Sequence, residues 1–175
     1  MKTYATIAAV ALLSACASPM PMTVDNATLP EPVRVPAGQK MLMVATGVGA
    51  ITYECREKKD TVGQYEWTFV GPVATLYTNG RKAVGKYYAG PTWEASDGSK
   101  VTGKQIAVAP GGTGNIPLQL VKTEPAMGAG AMTGVSYIQR LNTKGGVAPT
   151  AMCDAGAKGK RQTVAYEADY AFYGG

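Results

Sequence analysis

At 175 residues the chain has the length of one domain, enough to bury a core. Apolar residues make up 46% and charged residues 17%, which excludes a disordered tail or a coiled-coil rod. The formal net charge of +5 is not gathered into any run of four Lys and Arg, so a nucleic-acid stripe is not supported; with no histidine, the chain holds no Ser-His-Asp or Cys-His nucleophile and no His-containing metal site of its own.

The N-terminus carries an address. Lys2 opens a short basic region, and Ile7 to Leu13 form an apolar stretch of signal-peptide length, too short to cross a bilayer. It ends in Leu13-Ser14-Ala15-Cys16, which resembles the lipobox of bacterial lipoproteins. That resemblance implies removal of residues 1–15 and acylation of Cys16, and two or more acyl chains anchor firmly where one does not. Ala17 follows in place of the aspartate of inner-membrane retention, so the expected location is the outer membrane, facing the periplasm. Loss of Lys2 with the leader lowers the net charge from +5 to +4, a mild bias toward anionic lipid headgroups.

Of the three cysteines, Cys16 is then the lipid site, leaving Cys55 and Cys153. An exported compartment permits a disulfide, and two thiols allow one intramolecular pairing. A bridge over a loop of about 100 residues restricts the unfolded chain by about 4–5 kcal/mol in the loop-entropy picture. A redox-active pair is the alternative, although no C-x-x-C spacing is present to lower a thiol pKa.

Pro-rich chain follows, with five prolines from Pro19 to Pro36. Residues 16–39 are expected to be a lipidated tether with a reach of up to roughly 60 Å in polyproline II geometry, although Leu29 to Val35 could instead pack along the domain edge. Residues 40–175 read as one β domain. Ile51, Tyr53 and Cys55 fall in phase, as do Tyr65, Trp67 and Phe69, and then Val164, Tyr166, Tyr170 and Phe172. Period-two alternation means strands with one buried face. Asn79-Gly80 and Asp97-Gly98 mark hairpin turns, and Pro110 to Gly114 and Gly145-Gly146 mark further breaks. Short strands without a helical period predict an all-β fold, a single antiparallel β-sandwich or partly closed barrel with hairpin turns. The stretch from Ala126 to Met132 is open between a helical turn and a loop.

Few residues point to chemistry. Gly47-Val48-Gly49 after an apolar run lacks the third glycine of a dinucleotide fingerprint, and Pro110 to Asn115 lacks the Lys of a phosphate loop. Paired carboxylates work without histidine, and Glu94 and Asp97 are the nearest candidates. A spacing of three puts them on opposite faces of a strand, and Asp97 before Gly98 is also a turn residue. Aromatics are more prominent. Ten Tyr stand against two Trp and two Phe, and Tyr87, Tyr88 and Trp93 lie close together. Rings with a polar tip suit a half-exposed platform for a sugar or a protein, or else the rim of a small β core. Tyr87 and Tyr88 must take opposite faces. Arg140, inside the run Tyr137-Ile-Gln-Arg140, needs a partner, either a ligand or a structural carboxylate.

Several strings resemble the uncharacterised family called domain of unknown function 3455. They are Ala45 to Cys55, Tyr88 to Trp93 with Asp97-Gly-Ser, Gly134 to Gly146, Cys153-Asp154, and Tyr166 to Tyr173. Together they cover about residues 40–173. The resemblance implies a secreted or surface-associated protein in which Cys55 and Cys153 pair; it supplies no catalytic residues. The leading expectation is a lipid-anchored, non-enzymatic binding or structural module without cofactor or metal. Tyr87, Tyr88, Trp93 and Arg140 would flank a surface for a glycan or an envelope protein, with the membrane as the other partner. The alternative is a histidine-free hydrolase using Glu94 and Asp97.

Overall fold

The computed structural model describes residues 22–78 and 82–175. Cys16 and the Asn79-Gly80 turn lie outside the described residues. Eight antiparallel strands follow one another around a closed barrel: β1 (Lys40–Glu57), β2 (Tyr65–Tyr77), β3 (Ala83–Tyr88), β4 (Thr92–Ala95), β5 (Lys100–Ala109), β6 (Leu118–Thr123), β7 (Val135–Gly145) and β8 (Arg161–Gly174). Each strand pairs with its neighbour in sequence, and β1 closes the ring on β8 from Lys40↔Gly174 to Glu54↔Arg161. Of the two architectures the alternation allowed, the barrel forms, and it closes fully. Closure removes both sheet edges.

The alternating residues of β1 and β8 build the interior, whereas in β2 Tyr65 and Trp67 are only partly buried and Phe69 is exposed, because that part of the strand lies at the barrel's end. Ile51, Tyr53 and Cys55 of β1 and Tyr166, Ala168, Tyr170 and Phe172 of β8 are all buried. Trp93 lies at the centre, with its ring 4.6 Å from that of Tyr87 and nearly parallel to it, and 5.9 Å from Tyr170. An eight-stranded barrel is just wide enough for side chains to fill, and these rings fill its centre. This is where Gly47 and Gly49 find their reason. A Cβ on Gly47 would lie 2.6 Å from the Tyr170 ring, and one on Gly49 would strike the Val73 carbonyl and Ala74. The two glycines serve close packing against β2 and β8.

The outer wall is not bare. Val33 and Val35 are buried against Ala109, Leu120, Ala171 and Tyr173, with Val24 and Leu29 packed beside them. Gln139 bolts this strap down. Its amide nitrogen donates to Asn26 Oδ1 (3.0 Å) and to the Val33 carbonyl (2.6 Å), and its oxygen accepts from the Tyr173 hydroxyl (2.8 Å). Of the two readings of residues 16–39, packing along the domain holds for Leu29 to Val35 and extends back to Val24, where a free tether was the other expectation. Leu29 to Val35 packs on the wall because β5 to β8 present apolar residues outward, and those need cover.

The disulfide joins Cys55 to Cys153. It fastens the long connection between β7 and β8 to the end of β1. Trp67 adds a second tie, its indole N–H donating to the Ala151 carbonyl at 2.8 Å.

Candidate functional site

The two ends of the barrel differ. At the first end the connection from β6 to β7 folds inward and buries Met132. Asp97 holds it there. One carboxylate oxygen accepts from the Ser99 amide (2.9 Å) and hydroxyl (2.6 Å), and the other from the Ala131 amide (2.7 Å). Ser99 Oγ in turn accepts from the Met132 amide at 3.1 Å. The Ala126 to Met132 stretch is thus an ordered plug.

The second end is open. A cavity of about 500 Å³ enters between β1, β2 and β3 on one side and β5, β6 and β7 on the other. Its wall is formed by Ile51, Phe69, Pro72, Val108 and Ile116, with the Tyr53 and Tyr87 rings and the Arg140 side chain completing it. Three irregularities border this mouth. The register of β1 on β2 shifts between Thr52 and Tyr53, that of β5 on β6 between Gln105 and Ala107, and that of β7 on β8 between Leu141 and Lys144. Bulges at a barrel rim turn strands outward and re-aim side chains. In the third, Asn142 takes φ 47°, the one non-glycine residue with positive φ among the described residues.

Hydrogen bonds hold the mouth in shape. Tyr53 donates its hydroxyl to the Gly146 carbonyl at 2.8 Å, and Thr143 donates to the Ile116 carbonyl at 2.7 Å. Asn115 accepts from the Gly145 amide (2.8 Å) and donates to the Gly111 carbonyl (3.1 Å). Arg140 donates from Nε (3.2 Å) and Nη2 (2.9 Å) to the Pro117 carbonyl. Among the described residues it makes no ion pair, since each bridge involves another cation. Its charge reaches inward. Burial raises the hydroxyl pKa of Tyr53, Tyr87, Tyr166 (to about 12) and Tyr170, and in all four the Arg140 charge pulls the other way.

The expected aromatic surface does not form as one patch. Trp93 is 0% and Tyr87 5% exposed, because the pleat that carries them faces the barrel interior. Tyr88 points outward, as its neighbour's inward turn requires. Its hydroxyl donates to Glu94 at 2.7 Å, and Lys86 pairs with the same carboxylate at 3.1 Å. Of the four residues only Tyr87 and Arg140 meet in the open cavity. Arg140 binds a backbone carbonyl where a carboxylate was the structural alternative.

Glu94 and Asp97 are likewise separate, one on the outer wall and one at the plugged end. Hydrogen bonds from Tyr88 and Lys86 hold Glu94 below the usual carboxylate range, and those from Ser99 and Ala131 do the same for Asp97. Neither lines the cavity, and a depressed pKa disfavours the acid role. Among the described residues no group of three or more Cys, Asp and Glu is gathered that could hold a metal.

Sequence reading missed Ile51, Phe69, Pro72, Val108, Ile116, Gln105 and Gln119 as cavity residues. One signal was available. Gly71-Pro72 inside an otherwise strand-like run marks a bulge or a rim, since proline cannot donate to the ladder.

The family profile described as "Protein of unknown function (DUF3455)" matches residues 36–174. Neither a curated protein nor a solved structure matches the chain.

Proposed function

For a chain that belongs to the family of proteins of unknown function DUF3455, we propose the role of a lipid-anchored envelope binding module whose ligand site is the open mouth of the barrel. The observation that carries it is the cavity itself. It has about 500 Å³ of space, an apolar wall, and one guanidinium without an acidic partner among the described residues. Eight-stranded barrels are suited to holding one small ligand, and sites of this kind combine apolar walls with few convergent polar groups. The interior placement of Trp93 and Tyr87 favours a small molecule over the glycan or protein platform first expected. Among the described residues no carboxylate lines the cavity to support the hydrolase alternative.

Two features support the address. The lipobox string ends at Cys16, and the Cys55–Cys153 bridge fits an oxidising compartment. With the strap docked from Val24, the chain from Cys16 spans at most about 30 Å, so an acylated Cys16 would hold the barrel close to the bilayer. Acyl labelling tests this part: wild type takes up a palmitate probe and fractionates with membranes, and labelling that survives in Cys16→Ser overturns it.

For the ligand site, native mass spectrometry of full-length protein purified from membranes should show a bound small molecule. Val108→Trp, which fills the mouth, should abolish it at unchanged melting temperature. An adduct retained in full by Val108→Trp would place the ligand elsewhere.

A further inference from the structure

We infer that the mouth takes a monoanionic amphiphile, a carboxylate on an apolar body, with the carboxylate on Arg140 and the body between Ile51, Phe69, Pro72, Val108 and Ile116. This deepens the reading of the mouth as a ligand site and rests on it.

The argument begins with the guanidinium. Arginine presents five N–H donors in a planar fork and stays charged at any physiological pH. Here Nε and Nη2 both donate to one carbonyl, that of Pro117, so one side edge of the fork is fixed and the plane is set. The end-on edge, formed by Nη1 and the second N–H of Nη2, makes no protein hydrogen bond among the described residues. Two parallel donors on a fixed plane match the two oxygens of a carboxylate. A charge that is partly withdrawn from water and given no counter-ion is unfavourable, and an anionic ligand removes that cost.

The field agrees with the geometry. The positive charge acts on Tyr53, Tyr87, Tyr166 and Tyr170 without a neighbouring carboxylate to cancel it. Among the described residues the cavity lining contains no Asp, Glu or Lys, so the ligand meets one positive charge and no negative one there. That balance suits a single negative charge better than a phosphate ester.

The rest of the lining decides against a sugar. Apart from Arg140, the polar side chains of the lining are Gln105 and Gln119, which bond to each other at 2.6 Å, Tyr53, whose hydroxyl donates to the Gly146 carbonyl, and Tyr87. Few donors and acceptors remain for a ring of hydroxyls. Apolar surface, by contrast, is abundant and uncovered: Phe69 is 55% and Val108 43% exposed at the rim. An alkyl or aryl body would remove that surface from water. The mouth needs no rearrangement first, because Tyr53, Thr143 and Asn115 already tie its loops to β7 and to one another.

Titration calorimetry of the full chain with decanoate and with uncharged decanol tests the inference. Wild type should bind decanoate about tenfold to a hundredfold more tightly than decanol, the range of a charged hydrogen-bonded pair. Arg140→Gln should erase that preference while retaining decanol affinity, and Arg140→Lys, which keeps the charge and loses the fork, should fall between. Equal affinity of wild type for both probes overturns the anionic ligand and leaves the binding module standing. A decanoate preference that persists in Arg140→Gln overturns the role of Arg140. If neither probe binds wild type, the inference fails, and the native mass spectrum then decides whether the module reading fails with it. Should Arg140→Gln not fold, Val108→Trp replaces it: loss of both probes supports the mouth as the site, and unchanged binding of both overturns it.

Discussion

The two ends of this barrel are built from the same materials and reach opposite results. At the plugged end a glycine-rich connection folds over the barrel: Asp97 takes the Ser99 and Ala131 donors, Ser99 takes the Met132 amide, and the Met132 side chain is buried, while deeper in this half the Trp93 indole N–H is enclosed by apolar packing without a hydrogen-bond partner among the described residues. At the open end the loops are tied just as firmly, by Tyr53, Asn115 and Thr143, yet the side chain they present inward is Arg140 with half of its fork unused. Rigidity is therefore common to both ends. What differs is what fills the interior: buried apolar side chains in one half, and a cavity faced by a cation with free donors in the other. A filled half contributes stability; an open but well-supported mouth is available for a ligand.

Substitutions in the packed half should break this contrast most visibly. Trp93→Ala removes the ring that stacks on Tyr87, and it should cost about 3–5 kcal/mol in denaturant unfolding. A cost below about 1 kcal/mol would mean that the centre is not packed as described. Next comes the disulfide. Cys153→Ser should cost about 2–5 kcal/mol, and by hydrogen exchange should loosen the connection between β7 and β8 while the amides of Ala131 and Met132 keep their protection. Equal loosening of both ends would show that they are one cooperative unit.

A paired measurement compares the ends directly. Met132→Ala should cost about 2–5 kcal/mol, whereas Phe69→Ala at the rim should cost no more than about 1 kcal/mol. Reversed magnitudes would exchange the roles of the two ends.

Titration with alkali probes the tyrosines between them. Tyr87, Tyr166 and Tyr170 have hydroxyl pKa values raised by burial, that of Tyr166 to about 12. Folding favours their neutral form, so this stability is complete below the unfolded value near pH 10 and is lost as pH rises toward 12. Ultraviolet absorbance should show a group of tyrosines ionising only as the fold is lost. All tyrosines ionising near pH 10 with the fold intact would contradict their burial. Arg140→Gln removes the opposing charge and should raise these values further, by a small amount. On stability itself that substitution should cost no more than about 1 kcal/mol, because it frees the Pro117 carbonyl at a solvent-accessible rim and breaks no ion pair among the described residues.

Much of the architecture was legible from periodicity. The shared faces of β1 and β8 and the opposite faces of Tyr87 and Tyr88 follow from side chains alternating along a strand, the Asp97-Gly98 hairpin from its turn residues, and the Cys55–Cys153 pairing from simple thiol counting. The candidate site was legible only in part. Arg140 and Tyr87 stood out by residue type, but they were grouped with Tyr88 and Trp93 by closeness in sequence. In a barrel, neighbours along the chain alternate between two separate environments, and true neighbours come from other strands.

The sequence alone determined which residues of each strand share a face, where the chain turns, and that Cys16 sits in a lipobox-like string. Only the tertiary structure decided which of those faces is interior, that residues from Val24 to Val35 cover the outer wall, and that Trp93 is packing material. It alone brought the Pro117 carbonyl to Arg140 and left the rest of that guanidinium facing a cavity. The physical reason is that alternation is a property of one strand, while burial and pairing depend on which strands close the ring and where their bulges shift the register.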